Sequence, residues 1–142
     1  MISSRAVLHG AALILPLAAV AGLMLAARGF LREAVPLIIA SVLAAQCAAL
    51  GGRVLLARSA QSHWMAALLI GLGMALLTHA LFGRMYALWS SIFSERGDLL
   101  LTALVFSWGS FILAGFATLP LTMAVCVVVH HLHRKELARA AV

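Results

Sequence analysis

Histidine is the residue type in this sequence with the widest range of chemistry, and the chain contains six histidines. Five lie close to one end of the apolar stretches: His9, His63, His130, His131 and His133. Neutral imidazoles from different helices can converge on a metal ion or a haem. His9 and His130 are the candidates for a cofactor-binding pair, because their depths match on the first and last stretches. The simpler interpretation is that water solvates these edge histidines, and no cofactor is expected.

The sixth histidine, His79, lies beside Thr78 in the third apolar stretch, near its far end and away from the other five. A lone imidazole in such a position is more typical of a packed, hydrogen-bonded side chain than of a metal ligand. We therefore predict a structural histidine here, and we predict no metal site.

A row of small and weakly polar residues recurs every four positions along the last apolar stretch. The row contains Ser110, Ala114, Thr118, Thr122, Cys126 and His130. Such bands favour close contact between membrane helices, where hydroxyls bond across and small residues let the backbones approach. The alternative is a polar transport path lined by Ser110, Thr118 and Thr122.

Two prolines, Pro16 and Pro120, lie about ten residues from the same end of their stretches, roughly 15 Å deep. Proline frees backbone hydrogen-bonding groups, and broken helices of this kind form substrate sites in transporters. Both prolines are therefore added to the candidate transport path, although transmembrane helices also tolerate proline without such a role.

The absence of charge inside the apolar stretches limits the possible functions. No Asp, Glu, Lys or Arg lies within them, so proton relays and ion-coupled transport are disfavoured. Catalytic signatures such as GxSxG or HExxH are also absent. We predict no catalytic residue and expect a protein that is not an enzyme.

The amino-acid composition indicates whether this chain folds in water or in a lipid bilayer. Hydrophobic residues make up 65% of the 142 positions and charged residues 10%, against roughly 45–50% and 25% in soluble domains. The net charge of +6 comes from basic residues scattered between the apolar stretches, which indicates membrane flanks and not nucleic-acid binding. The sequence predicts an all-α integral membrane protein surrounded by the lipid bilayer.

Four apolar stretches predict a four-transmembrane-helix bundle that forms a single domain over residues 1–142. The predicted spans are 7–27, 34–52, 64–82 and 104–129, followed by a basic cytoplasmic tail at 130–142. The first could instead be a cleaved signal peptide, but its 21 residues are long for one.

The last apolar stretch is longer than one membrane crossing needs. Its 31 residues, 99–129, would measure roughly 46 Å as a helix. We expect the surplus at the Leu99 end, with Asp98 as the N-cap. Residues 84–95 before it predict a short interfacial helix or an extension of the third span.

Basic residues at the span ends predict the orientation. Six lie on the side of both termini and four on the other side, which places the termini in the cytoplasm. The abundance of Ala, Leu and Arg suits a bacterial protein, so the predicted location is a bacterial inner membrane.

Three functional hypotheses follow. The leading one is a non-enzymatic subunit or assembly factor of a larger membrane complex, because small-xxx-small patterns in every span could bind another membrane protein or a second copy. The alternative is a homo-oligomeric small transporter or channel. The third is a redox subunit that binds haem, metal or quinone.

Overall fold

Four long helices account for nearly all of the residues that the structure describes. The computed structural model describes residues 3–27, 31–60, 62–93 and 98–141. In chain order the helices are α1 (Ser4–Ala27), α2 (Leu31–Arg58), α3 (Trp64–Phe93) and α4 (Leu99–Ala140). No strand occurs within those described ranges, so the all-α prediction is confirmed. Each helix contains a segment long and apolar enough to cross a membrane.

The helices extend beyond the predicted spans. α2 continues past residue 52 to Arg58, and α3 continues past residue 82 to Phe93. Of the two predicted forms of 84–95, the structure therefore has the extension of α3, and residues 94 and 95 lie outside the described part. The tail beyond residue 129 is the last part of α4, helical through Ala140.

The start of α4 follows the sequence prediction. Asp98 has an extended backbone, and its carboxylate accepts hydrogen bonds from the backbone N–H groups of Leu100 and Leu101 at 2.9 and 3.3 Å. These are two of the N–H groups that a helix leaves unpaired at its first turn. The helix then runs without interruption through Pro120, a residue whose side chain is exposed.

The helices are arranged in chain order around the bundle. Each packs against the next, and α4 also packs against α1 and closes the circle. The interface between α3 and α4 is the most extensive, whereas α1 and α3 do not approach each other within the described residues. A tight cluster occupies one end of the bundle, which we call the core end; its buried residues are Leu8, Ala49, Leu56, Ala67, Met74, Cys126 and Val129.

Glycines on α3 explain its close contact with α4. A Cβ atom at Gly71 would lie 2.7 Å from the Cα atom of Met123, closer than such atoms ever approach. A Cβ at Gly83 would overlap Ser107 in the same way. Only glycine allows the two backbones to pack at this distance, as in other small-residue helix interfaces.

A polar contact fastens the start of α1 to the last turns of α4. The backbone N–H and the hydroxyl of Ser4 both donate to the carboxylate of Glu136, at 2.9 and 2.8 Å. Ser4 is buried by this contact. Glu136 thus satisfies an N–H of the first turn of α1 and holds α1 against α4 at the core end.

Candidate functional site: a cavity between the four helices

A cavity of about 380 Å³ lies beside the core cluster and is lined by all four helices. Its wall extends along α4 from Val105 to Cys126, along α1 from Leu8 to Val20, and along α3 from Met74 to Phe82. At 1.5 Å per residue the α4 wall is about 31 Å long, which is close to the thickness of a bilayer's hydrocarbon core. The space is therefore elongated along the helix axes.

Short side chains on α1 contribute to the cavity. The α1 lining includes the short side chains of Ala11, Ala12, Pro16 and Ala19 beside the larger Leu8, Leu15 and Val20. On the opposite side α3 is drawn toward α4 by its glycines. The unfilled diagonal between α1 and α3 becomes the cavity.

His79 lies in the cavity wall and bonds to α4 through both ring nitrogens. Nδ1 lies 3.0 Å from the hydroxyl oxygen of Ser110, and Nε2 lies 3.0 Å from that of Thr118. The edge of the ring meets Phe111, with the ring planes at 89° and the centroids 5.7 Å apart. The prediction of a packed, hydrogen-bonded histidine is confirmed, but the view of His79 as a lone polar residue near a helix end is wrong, because it lies midway along α3 and has two partners on α4.

Three hydroxyls of the wall donate to carbonyls of their own helices. Ser41 donates to the carbonyl of Ile38 at 3.0 Å, and Thr78 donates to the carbonyl of Met74 at 2.8 Å. Ser110 donates to the carbonyl of Ser107 at 2.9 Å. Among the described residues that line the cavity, none is Asp, Glu, Lys or Arg. The wall is therefore apolar and uncharged, with a few hydroxyls and one imidazole.

The structure brings together four of the five residues predicted for a transport path. Pro16, Ser110, Thr118 and Thr122 all line the cavity, whereas Pro120 is exposed on the outside of α4. Five of the six residues in the row on α4 line this cavity, Cys126 included, and the sixth, His130, is buried at the core end.

The two candidates for a cofactor pair occupy separate environments. Nδ1 of His9 lies 3.0 Å from the side-chain oxygen of Gln46, and the Gln46 amide donates back to the His9 carbonyl at 3.2 Å. His130 is 3% exposed and packs at the core end, where its ring lies beside the Ser62 backbone. No described contact joins the two rings. Among the described residues, no group of three or more His, Cys, Asp or Glu side chains is placed to hold a metal.

The spacing along α4 predicted its hydroxyl row, but it did not predict that His79 faces this row. One signal was available: His79 lies inside a predicted span and away from the other five histidines, and a buried imidazole needs partners. The hydroxyls of the last span were the obvious donors and acceptors, but their pairing with His79 depends on how α3 and α4 rotate against each other.

Comparisons with known protein families, with curated protein sequences and with solved structures found no match. The geometry of the cavity is therefore the basis for a functional proposal.

Proposed function

We propose that this chain is an integral membrane protein that binds a lipophilic small molecule in the cavity between its four helices. The observation that carries the proposal is the cavity itself, which is elongated, almost wholly apolar and fitted with a few hydroxyls and one imidazole. Ligand sites typically occupy about 300–1,000 Å³ and combine an apolar wall with a few polar groups that orient the ligand.

The surface outside the cavity supports the membrane location. Large apolar side chains point outward on every helix, among them Ile14, Leu69 and Phe116, which are 63%, 66% and 77% exposed. Such exposure is costly in water and costs nothing against acyl chains. The charge bias of six basic residues against four supports a bacterial inner membrane with both termini in the cytoplasm.

The structure changes the weight of the subunit hypothesis. That hypothesis depended on small-residue faces, and those of α2 and α3 are used inside the chain: Ala44, Ala48, Ala67 and Ala75 are each at most 2% exposed. Only Ala18 and Gly22 on α1 remain on the outside. These faces support packing within one chain, and a role as a subunit or assembly factor remains a prediction.

A second candidate function is transport of the same lipophilic molecule. Four of the five predicted path residues line the cavity, and its long axis follows the helices. A molecule bound there could be released to either leaflet if α1 moved away from α3. The redox hypothesis has less support, because His9 and His130 make no common contact among the described residues.

The test is to identify what copurifies with the protein. Native mass spectrometry and solvent extraction of protein purified in mild detergent should find a retained lipophilic compound. Ala114→Phe places a large ring in the cavity and should reduce that compound several-fold. Ala117→Phe, on the exposed face of the same helix, is the matched control and should retain it.

Two results would contradict the proposal. One is equal occupancy in the two phenylalanine variants when both retain native helix content and native mass. The other is the absence of any bound compound from all three proteins. If the compound is found, its release from liposomes by wild type but not by Ala114→Phe would separate transport from simple binding.

A further inference from the structure

The hydrogen bonds around His79 take one direction when the Ser110 hydroxyl is assigned as the donor to its own helix, through its 2.9 Å bond to the Ser107 carbonyl. The Ser110 hydroxyl has one proton, and that proton is donated to the carbonyl of Ser107. In the 3.0 Å hydrogen bond between His79 and Ser110, Nδ1 is therefore the donor and the Ser110 hydroxyl oxygen is the acceptor. A neutral imidazole has one N–H group, so Nε2 is an acceptor and the Thr118 hydroxyl donates to it.

This direction leaves Thr118 as an acceptor toward the cavity. Its single proton is used on Nε2, but its oxygen keeps a lone pair for a further hydrogen bond. Ser41 and Thr78 can likewise only accept a further hydrogen bond, because each donates its proton to a carbonyl of its own helix. Ser41, Thr78 and Thr118, which lie on α2, α3 and α4, thus offer lone pairs and no protons.

Thr122 is the complementary group. It lies one turn after Thr118 on α4, also lines the cavity, and its hydroxyl makes no hydrogen bond to another described residue. Its proton is available to a ligand. Adjacent groups on one wall can therefore accept a hydrogen bond at Thr118 and donate one at Thr122.

We propose that the cavity selects a neutral lipophilic molecule with a hydroxyl group, such as a long-chain alcohol or phenol, whose O–H donates to Thr118. A hydroxyl both donates and accepts, so it matches Thr118 and Thr122 together. A carbonyl or an ether can only accept and leaves the Thr118 lone pair unused. A phosphate or carboxylate would find no cation on the described wall.

This inference rests on the proposed function and names the class of ligand. The test uses three probes of similar shape: para-dodecylphenol, its methyl ether para-dodecylanisole, and para-dodecylbenzaldehyde. Their binding to the protein in nanodiscs is measured by native mass spectrometry, with empty nanodiscs as the control for partition into lipid. One net hydrogen bond predicts that wild type binds the phenol about five-fold tighter than the other two.

Three variants test whether Thr118 is the acceptor of the hydrogen bond from the ligand hydroxyl. Thr118→Val keeps the shape of the side chain and should abolish the preference for the phenol while all three probes still bind. Thr102→Val makes the same change on α4 away from the cavity and should keep the preference. Ser110→Ala removes the group that orients His79, which lets the ring donate from Nε2 and frees the Thr118 proton. In that variant the preference for the phenol over the benzaldehyde should shrink.

The outcomes separate this inference from the proposed function. If no probe binds beyond lipid partition, the proposed function fails and the inference with it. If the probes bind wild type equally, or the ether or aldehyde binds tighter, the cavity is a lipid-binding site and the hydroxyl assignment is overturned. A preference that persists in Thr118→Val also overturns the assignment.

Discussion

Single residues determine how closely α3 and α4 pack. Gly71 lies against the backbone of Met123, so a side chain there would push against main-chain atoms that cannot rotate away. Gly73, two residues further along α3, has no heavy atom within 4 Å of where its Cβ would lie. Gly71 therefore allows the close helix contact, whereas Gly73 does not contribute to it, although the two glycines are only two residues apart in the sequence.

This difference predicts opposite effects of the same substitution. Gly71→Ala should lower the free energy of unfolding by about 1–3 kcal/mol, because overpacking moves the backbones apart. Gly73→Ala should leave it unchanged or raise it by up to about 1 kcal/mol, because alanine favours helix. Reversible unfolding in mixed detergent micelles measures both. Equal losses in the two variants would contradict the close approach of α3 to α4.

The candidate site was only partly predictable at this scale. Ser110, Thr118 and Thr122 were recognised from their spacing, since positions four apart share a helix face. His79 was predicted to be hydrogen-bonded, but its partners were not named. Period and composition identify a face of one helix, whereas a pair between two helices depends on their relative rotation.

Element boundaries were predicted best where a local signal marks them. Asp98 is the example, because an N-cap needs only its own side chain and the next few N–H groups. Helices α2 and α3 both continue past the predicted spans, because an apolar stretch ends before its helix does. Polar residues can continue a helix after the apolar stretch is complete.

The cap of α4 gives an element-scale prediction. Asp98→Ala removes the acceptor for the N–H groups of Leu100 and Leu101 and should lower the free energy of unfolding by about 1 kcal/mol. Asp98→Asn keeps a side-chain oxygen and should retain most of the stability. The loss of protection should be confined to the first turn of α4 in hydrogen exchange. No change in either measurement would contradict the capping role.

The contact between the start of α1 and the last turns of α4 gives a second prediction at the scale of helices. Glu136→Ala removes the acceptor for both donors of Ser4, so the start of α1 should separate from α4. Hydrogen exchange of the first turns of α1 should become faster, while the middle of α3 stays protected. Lys135→Ala, an exposed neighbour, is the matched control. Equally fast exchange in both variants would show that Glu136 has no special role.

The whole molecule has a proposed orientation that can be tested directly. Ser62 and Leu99 are exposed and lie at opposite ends of α3 and α4. With both termini in the cytoplasm, a membrane-impermeant maleimide should label Leu99→Cys in intact cells and label Ser62→Cys only after permeabilisation. The parent chain provides the background from its two cysteines. The reverse pattern would overturn the orientation.

The sequence by itself determined the number of helices, their apolar character and the start of α4. These features depend on composition, on the length of apolar stretches and on a cap formed within one turn, so neighbours in the chain suffice to define them. It also defined the polar face of α4, because residues on one helix keep a fixed angular relation.

Only the tertiary structure decided what that face meets. The cavity depends on short α1 side chains opposite an α3 that glycines draw toward α4, and the direction of the Thr118–His79–Ser110 hydrogen bonds depends on the facing of two helices. Helices with broad apolar surfaces can pack in several rotations with similar periodicity. Contacts between residues far apart in the sequence determine which of these helix rotations the protein adopts.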